Sequence, residues 1–294
     1  MNTILGVNHQ FLYPASITDE KAHTETLKLI SEFDCIDALD CWLWRGERSR
    51  EELNILKNSG KIINYNIGDR FGEEICLPSS PDRAQRDRAY DIMMREISYA
   101  LELGSKKIVF GSGPDMPEDH EGAKERFFET IMRACEQLPK DVIMALEPTD
   151  WDIDKHFLFG PVEETAEFIH KVRKSGFENI GMLIDMCHIP IMYETMETAI
   201  QKSLDTLVHI HLGNCVIKDK TSPYYGDKHV AWGYPGGEYD EESGIKFVRL
   251  LDKAGYFDKA NTVSFEMRPI DGYTAEDSLK SWVDIWKKAN EERM

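Results

Sequence analysis

The expected fold rests on four short apolar segments in the second half of the chain: VIMALE at 142–147, IGMLID at 180–185, LVHIHL at 207–212 and TVSFE at 262–266. A short run that is apolar nearly throughout indicates a β-strand that is buried on both faces. Each segment also carries a carboxylate or a histidine at or near its end. The same four segments therefore carry both the fold signal and the candidate chemistry.

Four comparable runs precede them in the first half of the chain: TILGV at 3–7, CIDAL at 35–39, KIINYNI at 61–67 and KIVF at 107–110. Apolar residues at a period of about 3.6 predict helices at 82–103, 161–175 and 275–291. Ser80 and Pro81 suit the N-cap and first turn of the first of these helices.

Alternation of strands and helices favours a parallel sheet with right-handed crossovers. Eight such units in one chain of this length predict an α/β protein that folds as a single (β/α)₈ TIM barrel over residues 1–294. A doubly wound open sheet is the alternative. That fold more often has a Gly-rich turn after its first strand, and the GVNHQF segment here is not one.

Composition excludes several classes of protein. The chain has 294 residues, with 35 Lys and Arg against 53 Asp and Glu, so the formal net charge is −18. A surface this acidic repels phosphate backbones and anionic lipids, and we expect neither nucleic acid nor a membrane as a partner. The N-terminal segment has no signal-peptide pattern, and the six cysteines form no CxxC pair, which favours a cytoplasmic enzyme with reduced thiols.

Four residues stand at the ends of the last four strands: Glu147, Asp185, His211 and Glu266. In a (β/α)₈ barrel these ends meet at one rim, where active sites form. Three carboxylates that converge there repel one another unless a positive charge lies between them. We therefore predict one divalent cation, with Mn²⁺, Mg²⁺, Co²⁺ and Zn²⁺ all compatible with the ligands. Taken singly, each residue is more often a salt-bridge partner, a cap or a hydrogen-bonded core residue.

The strand ends of the first half indicate no chemistry of their own. They carry Asn8, His9, Asp40, Asn66 and Ser112, which are polar but unremarkable. We interpret His209 as structural.

The motifs LEP at 146–148, DMCH at 185–188, HIHLGN at 209–214 and FE at 265–266 resemble those of the xylose-isomerase-like barrel superfamily of sugar isomerases and epimerases. Enzymes of the D-tagatose 3-epimerase type are the best understood members. The resemblance implies that one ion, most often Mn²⁺, is held by the four residues at the strand ends. It also implies that His188 contacts the substrate.

The shared reaction step of this superfamily is removal of a proton next to a carbonyl, through an enediolate that the metal stabilises. On this basis Glu147 and Glu266 are expected to transfer protons on opposite sides of the bound sugar. Asp185 and His211 are expected to serve mainly as ligands.

Several features depart from a plain epimerase pattern and fit a larger or more decorated sugar. The long loop at 213–239 carries Asp227 and His229, and the last strand is followed by Arg268. We expect Asp227, Arg268 and Lys155 to bind substrate. For an eliminating reaction His229 is a candidate acid or base, with His156 or Lys155 as alternatives.

Two other functions remain open at this stage. One is a metal-dependent lyase that resembles the catalytic subunit of bacterial C-glycoside deglycosidases, which cleaves a 3-oxo-glycoside and pairs with a small β-rich subunit. The other is a noncatalytic sugar-binding barrel. The expected partners are a sugar or glycoside substrate and further copies of the chain, or the β-rich subunit if the lyase interpretation holds. AP endonucleases of the same superfamily are disfavoured by the acidic charge.

Aromatic residues are frequent in the segments expected at the barrel mouth. They could stack on a sugar or a flavonoid-like ring, or pack a lid or a subunit interface. These residues are Phe11, Tyr13, Trp42, Trp44, Trp151, Phe157, Tyr224, Tyr225 and Trp232.

Overall fold

The computed structural model describes residues 3–68, 70–259 and 262–291, and these form a closed barrel of eight parallel strands. Every strand pairs with its neighbours in chain order, and the first strand pairs with the last. The predicted (β/α)₈ barrel is therefore confirmed. The strands are β1 Ile4–Asn8, β2 Ala38–Cys41, β3 Ile62–Asn66, β4 Lys107–Gly111, β5 Ile143–Glu147, β6 Ile180–Asp185, β7 Leu207–Leu212 and β8 Thr262–Phe265.

Helices follow the strands and surround the barrel. Short 3₁₀ turns lie at Pro14–Ile17, Pro117–Asp119 and Tyr256–Lys259. Within the described ranges, no helix is long and apolar enough to cross a membrane. The α-helices are α1 His9–Leu12, α2 Glu20–Ser31, α3 Arg48–Asn58, α4 Arg70–Glu73, α5 Arg83–Glu102, α6 His120–Gln137, α7 Val162–Lys174, α8 His188–Ile191, α9 Met196–Ser203, α10 Glu241–Lys253 and α11 Ala275–Glu291.

Helix α7 illustrates how the sequence sets these boundaries. Pro161 precedes the helix with extended backbone, and Glu163 and Glu164 lie in the first turn, where the helix dipole favours negative charge. Lys174 lies in the last turn, where the dipole favours positive charge. Gly176 follows with φ of +101°, a conformation that side chains with a Cβ disfavour. The predicted limits of 161–175 are confirmed within one residue.

Two sequence-based boundaries were wrong in detail. Strand β2 was predicted at 35–39 and lies at Ala38–Cys41. Asp40 ends the apolar run in the sequence because it is charged. It is nevertheless a strand residue, and its side chain is fully buried. The N-cap of α5 is Asp82, whose side chain accepts a hydrogen bond from the Ala84 amide, and not the predicted Ser80.

The main hydrophobic core lies between the barrel and the helices. Trp282 of α11, for example, is buried and packs against Phe265 of β8 with ring centroids 5.8 Å apart. The barrel interior is different, because alternate strand positions point inward and many of them are polar. Asn64, His209 and Ser264 meet around the Asp40 carboxylate there. The fold thus places a polar layer directly below the rim where the candidate ligands lie.

Helix α2 offers a matched test of the core. Leu27 is fully buried whereas Leu29, two residues along the same helix, is 48% exposed. Leu27→Ala is expected to lower the free energy of unfolding by about 2–5 kcal/mol, since it removes buried methyl groups and leaves a cavity. Leu29→Ala is expected to change it by no more than about 0.5 kcal/mol. Urea unfolding of metal-free protein measures both, and equal effects would contradict the packing described here.

Candidate metal centre

The four candidate ligands occupy neighbouring strands at one rim of the barrel. Glu147 ends β5, Asp185 ends β6, His211 lies in β7 and Glu266 follows β8 directly. The strand register places Asp185 beside His211. One nitrogen or oxygen atom from each of the four lies within 4.8 Å of those of the other three. The structure therefore brings together all four residues that the sequence predicted as ligands.

The imidazole of His211 lies at the centre of this group. Its Nδ1 atom is 3.6 Å from Asp185 Oδ2 and 3.8 Å from Glu147 Oε1. The same Nδ1 is in direct contact with Glu266 Oε2. All three neighbours are carboxylate oxygens, so this nitrogen faces acceptors on every side of the cluster.

Three atoms of the cluster are buried without a hydrogen-bond partner among the described residues: Asp185 Oδ2, His211 Nδ1 and Glu266 Oε2. The other polar atom of each side chain is held. The Cys187 amide donates to Asp185 Oδ1, and Asn8 Nδ2 donates to Glu266 Oε1 at 2.7 Å. Buried polar atoms without partners are rare and costly.

The unpartnered atoms lie close together, since Asp185 Oδ2 and Glu266 Oε2 are both next to His211 Nδ1. A divalent cation at the common point would satisfy all three together with Glu147. Three carboxylate oxygens and one imidazole nitrogen are suitable ligands for Mn²⁺, Mg²⁺, Co²⁺ or Zn²⁺. The residues present therefore fit the predicted ion.

The pKa values of these groups show the cost of leaving the charges uncompensated. Burial raises the pKa of Asp185 to about 7 and also raises the pKa of Glu147. Burial opposes a charged His211, but the Glu266 and Asp40 carboxylates raise its pKa well above the ordinary value. Protons and a cation therefore compete for the same atoms.

A second polar group lies beside the centre, around Asp227 of the long loop. Asp227 Oδ1 is 2.6 Å from His229 Nε2 and 3.1 Å from His188 Nε2, and Oδ2 is 3.5 Å from Lys155 Nζ. The Nδ1 atoms of the two imidazoles donate to backbone carbonyls, His188 to Pro148 at 3.1 Å and His229 to Glu266 at 3.0 Å.

Both nitrogens of each imidazole therefore face acceptors, which favours the doubly protonated ring. Although burial opposes that charge, Asp227 raises the pKa of His229 to about 9 and that of His188 well above its ordinary value. Burial acts against ionisation of Asp227 as well, yet the same two imidazoles hold its pKa well below the usual range. The two imidazolium rings therefore place positive charge beside the candidate ligands.

A cavity of about 350 Å³ opens above both groups. Glu147 and Glu266 line it, while Asp185 and His211 lie behind them and are fully buried. The full lining is Phe11, Ile17, Trp42, Asn66, Gly68, Phe71, Gly111, Gly113, Glu147, Thr149, Lys155, Phe157, His188, Asp227, His229 and Glu266.

Arg268 has a different position from the one expected of a substrate-binding residue. Arg268 is not among the described residues that line the cavity. Its Nε atom donates to the Lys228 carbonyl at 2.8 Å, and its guanidinium lies 5.9 Å from the Tyr224 ring centroid. Arg268 therefore holds the long loop in position through its hydrogen bond to Lys228.

The expected aromatic residues divide into two sets. Phe11, Trp42 and Phe157 line the cavity, and Phe11 packs on the His229 ring with centroids 3.9 Å apart. The second set is not part of the described lining; Trp232 of this set packs instead against Gly244 and Phe265. This second set comprises Tyr13, Trp44, Trp151, Tyr224, Tyr225 and Trp232.

Sequence reasoning missed several residues that shape the site. Asp150 is fully buried, and its carboxylate accepts hydrogen bonds from four amides of the 153–156 segment. This turn carries Lys155 into the cavity. Phe71 of α4 supplies an apolar wall, and Asn8 binds Glu266. The strand-end position of Asn8 was visible in the sequence, whereas the other contacts depend on how the loops fold.

Comparisons with known proteins agree with the fold. No curated protein matches the sequence. Among solved structures, a D-tagatose 3-epimerase-like protein superimposes with a TM-score of 0.74 at 16% identity, covering 99% of this chain and 100% of that chain. The 3-keto-D-glucoside 4-epimerase from E. coli gives a TM-score of 0.68 at 16% identity, with 96% and 99% covered.

An AP endonuclease of family 2 from Brucella melitensis gives a TM-score of 0.68 at 19% identity, with coverage of 96% of this chain and 98% of that one. The family model described as xylose isomerase-like TIM barrel matches residues 35–289. This match spans the described strands β2 to β8 and all four candidate ligands. The chain belongs to the xylose isomerase-like TIM barrel family.

Proposed function

We propose that this protein is a divalent-metal-dependent sugar isomerase or epimerase that moves a proton on the carbon next to a carbonyl. One observation carries the proposal: three buried, unpartnered ligand atoms converge directly below a cavity that two carboxylates line. The ion would be held by Glu147, Asp185, His211 and Glu266, with Mn²⁺ favoured. A divalent ion bound there supplies a Lewis acid that polarises a carbonyl oxygen.

Glu147 and Glu266 are the proton-transfer groups in this proposal. Both face the cavity, and their pKa values are displaced in opposite directions. Burial raises the pKa of Glu147; for Glu266 burial acts the same way, but His211 and His229 lower the pKa overall. Paired carboxylates with diverging pKa values suit one group to hold a proton and the other to take one.

The Asp227 group binds and orients the substrate. The ammonium of Lys155 would donate a hydrogen bond to a hydroxyl or carbonyl oxygen of a sugar, and the imidazolium rings of His188 and His229 line the cavity with positive charge. Asp227 holds the three donors together by accepting from them. For an eliminating reaction we propose His229 as the acid, which would have to release one of its N–H groups from Asp227 or from the Glu266 carbonyl to give a proton to the leaving group.

The similar solved structures support a sugar substrate. Their names describe a D-tagatose 3-epimerase-like protein, a 3-keto-D-glucoside 4-epimerase and an L-ribulose 3-epimerase. The net charge of −18 favours a neutral sugar over the nucleic acid of an AP endonuclease. We further propose that the enzyme acts in the cytoplasm as a homo-oligomer, with its six cysteines unpaired as they are here.

A second candidate function rests on the cavity wall. Phe11, Ile17, Trp42, Phe71 and Phe157 supply apolar surface to the lining of the cavity. The volume of about 350 Å³ lies within the range of about 300–1,000 Å³ for sites that hold drug-sized ligands. These features favour a glycoside with an aromatic aglycone, and thus a lyase that eliminates the aglycone from a 3-oxo-glycoside. A small β-rich subunit would then be the partner.

Solvent exchange tests the isomerase proposal. In D₂O the wild-type protein with Mn²⁺ is expected to introduce deuterium into ketoses or keto-glycosides at the carbon next to the carbonyl. Glu147→Gln and Glu266→Gln are each expected to slow the exchange by about 10²- to 10⁴-fold, because each removes a proton-transfer group. Mass spectrometry measures the exchange, and metal content is measured for every variant because both carboxylates are expected ligands.

Glu167→Gln is the control for this experiment, because Glu167 is exposed on α7. It should exchange at the wild-type rate. Near-normal exchange in either cavity variant that retains its metal would contradict the assigned roles.

Metal dependence is tested by thermal unfolding. Chelator-treated protein is expected to gain about 3–6 °C in Tm when Mn²⁺ is added at a hundredfold excess over Kd. Asp185→Asn should lose most of this gain, since it removes a ligand, whereas Asp91→Asn on the exposed side of α5 should keep it. A wild-type protein that is not stabilised by any divalent ion would refute the centre.

Assays with an aryl 3-oxo-glucoside and with a free ketose distinguish the two candidate functions. Release of the aglycone supports the lyase, and deuterium exchange without release supports the isomerase. If the aromatic wall binds an aglycone, Trp42→Leu is expected to raise KM for the aryl substrate by about 2- to 10-fold and to leave KM for the ketose unchanged. Equal effects on both substrates would show that Trp42 does not contact the aglycone.

A further inference from the structure

Asp40 lies in the polar layer below the candidate metal centre. Its side chain is fully buried, and it is not part of the described cavity lining, so it does not contact a substrate there. Four side chains approach its carboxylate. His209 Nε2 is 2.8 Å and His211 Nε2 is 3.1 Å from Oδ1, Asn64 Nδ2 is 3.1 Å from Oδ2, and Ser264 Oγ also contacts Oδ2.

This arrangement determines which nitrogen of His211 carries hydrogen. A carboxylate only accepts hydrogen bonds, and its two oxygens offer about four acceptor sites. All four sites of Asp40 are occupied by groups that can donate, so Nε2 of His211 is the N–H donor. In the neutral ring the lone pair is then on Nδ1, the atom that faces Asp185 and Glu147 at 3.6 and 3.8 Å.

We propose that Asp40 is a positioning residue for the metal centre: it fixes the Nε2–H tautomer and the ring orientation of His211, so that the Nδ1 lone pair points at the ion. This inference rests on the metal centre of the proposed function. Metal-binding histidines in general donate their other ring N–H to a carboxylate or carbonyl, and loss of that partner typically weakens metal affinity about 10- to 100-fold.

The barrel interior is built to keep Asp40 in place. Gly6 of β1 leaves room for Ser264, since a Cβ at Gly6 would lie 2.6 Å from Ser264 Oγ and 2.9 Å from the Ala38 carbonyl oxygen. A bulkier residue at Gly6 would displace the hydroxyl that donates to Asp40. The strand register supports this geometry, because Gly6 and His211 both pair with Ser264.

A buried hydrogen-bond chain also supplies charge compensation from the far side. Lys107 Nζ donates to Thr262 Oγ1 at 2.8 Å, and Thr262 Oγ1 is 2.6 Å from His209 Nδ1. His209 in turn donates to Asp40. The cation of Lys107 thus faces the Asp40 carboxylate through two intervening residues, which makes a buried anion at this depth tolerable.

Cobalt binding tests the proposal. Chelator-treated protein is titrated with Co²⁺, and Kd is obtained from the visible absorption of the bound ion. Asp40→Asn keeps the shape of the side chain but removes its negative charge and replaces one oxygen by an NH₂ donor, so it cannot accept from all four groups and holds the His211 N–H less strongly. It should therefore raise Kd for Co²⁺ by about 10- to 100-fold. Asp91→Asn makes the same chemical change on the exposed side of α5, away from the barrel interior, so it should bind Co²⁺ like the wild type.

The outcomes separate this inference from the metal centre itself. If Asp40→Asn binds Co²⁺ like the wild type, or if both variants weaken binding equally, Asp40 does not act through His211. If the wild type binds no Co²⁺, the metal centre fails and this inference fails with it. Urea unfolding of each metal-free variant shows whether a change in Kd merely follows a loss of stability.

A measurement on the wild type decides the question should Asp40→Asn not fold. The protein is labelled with ¹⁵N-histidine and loaded with Zn²⁺, and the His211 signals are assigned by their absence in His211→Gln. We expect a proton bonded to Nε2 and none on Nδ1. A His211 ring whose Nε2 carries no proton would overturn the proposal.

Discussion

Mutual repulsion of three converging carboxylates, two of them buried and Glu147 partly so, is the constraint on which the site depends. Glu147, Asp185 and Glu266 place oxygens within 4.8 Å of one another, with His211 among them. Like charges at such distances are costly where water is excluded. Protonation relieves part of the cost, and burial already raises the pKa of Asp185 to about 7. A single proton bridges at most two of these atoms, whereas a cation satisfies all of them at once, so the geometry favours a metal ion.

Closure of the barrel creates that constraint. Parallel strands end at the same rim, so single residues on β5, β6, β7 and β8 converge although they are far apart in sequence. Alternate positions on the same strands point inward below the rim. His209 and Ser264 lie two positions before a candidate ligand, and both contact Asp40. The ligands and the layer that supports them therefore arise from one periodicity.

The fold and the convergence of the four candidate ligands could be predicted from sequence because both signals are local. An apolar run with a carboxylate or a histidine at or near its end can be recognised within six residues. The geometry of a closed barrel then brings the ends of these strands together. The role of Asp40 could not be predicted, because its contact with His211 joins residues 171 positions apart. Because Asp40 is charged, the predicted β2 also ended before it, although Asp40 lies within the strand. The position of Arg268 also depended on the path of the long loop, whose Lys228 carbonyl accepts from it.

The cavity is divided between two kinds of chemistry, and this division bears on the substrate. Its floor consists of carboxylates and protonated donors, which suit a polyhydroxylated ring with a carbonyl. The aromatic residues of its lining, Phe11, Trp42 and Phe157, offer such a ring little beyond stacking. Phe11 also covers the His229 ring. An aromatic ring packed on His229 lowers the dielectric beside it, and this strengthens the electrostatic interaction of His229 with Asp227 at 2.6 Å. The aromatic lining therefore has an electrostatic consequence even for a free sugar.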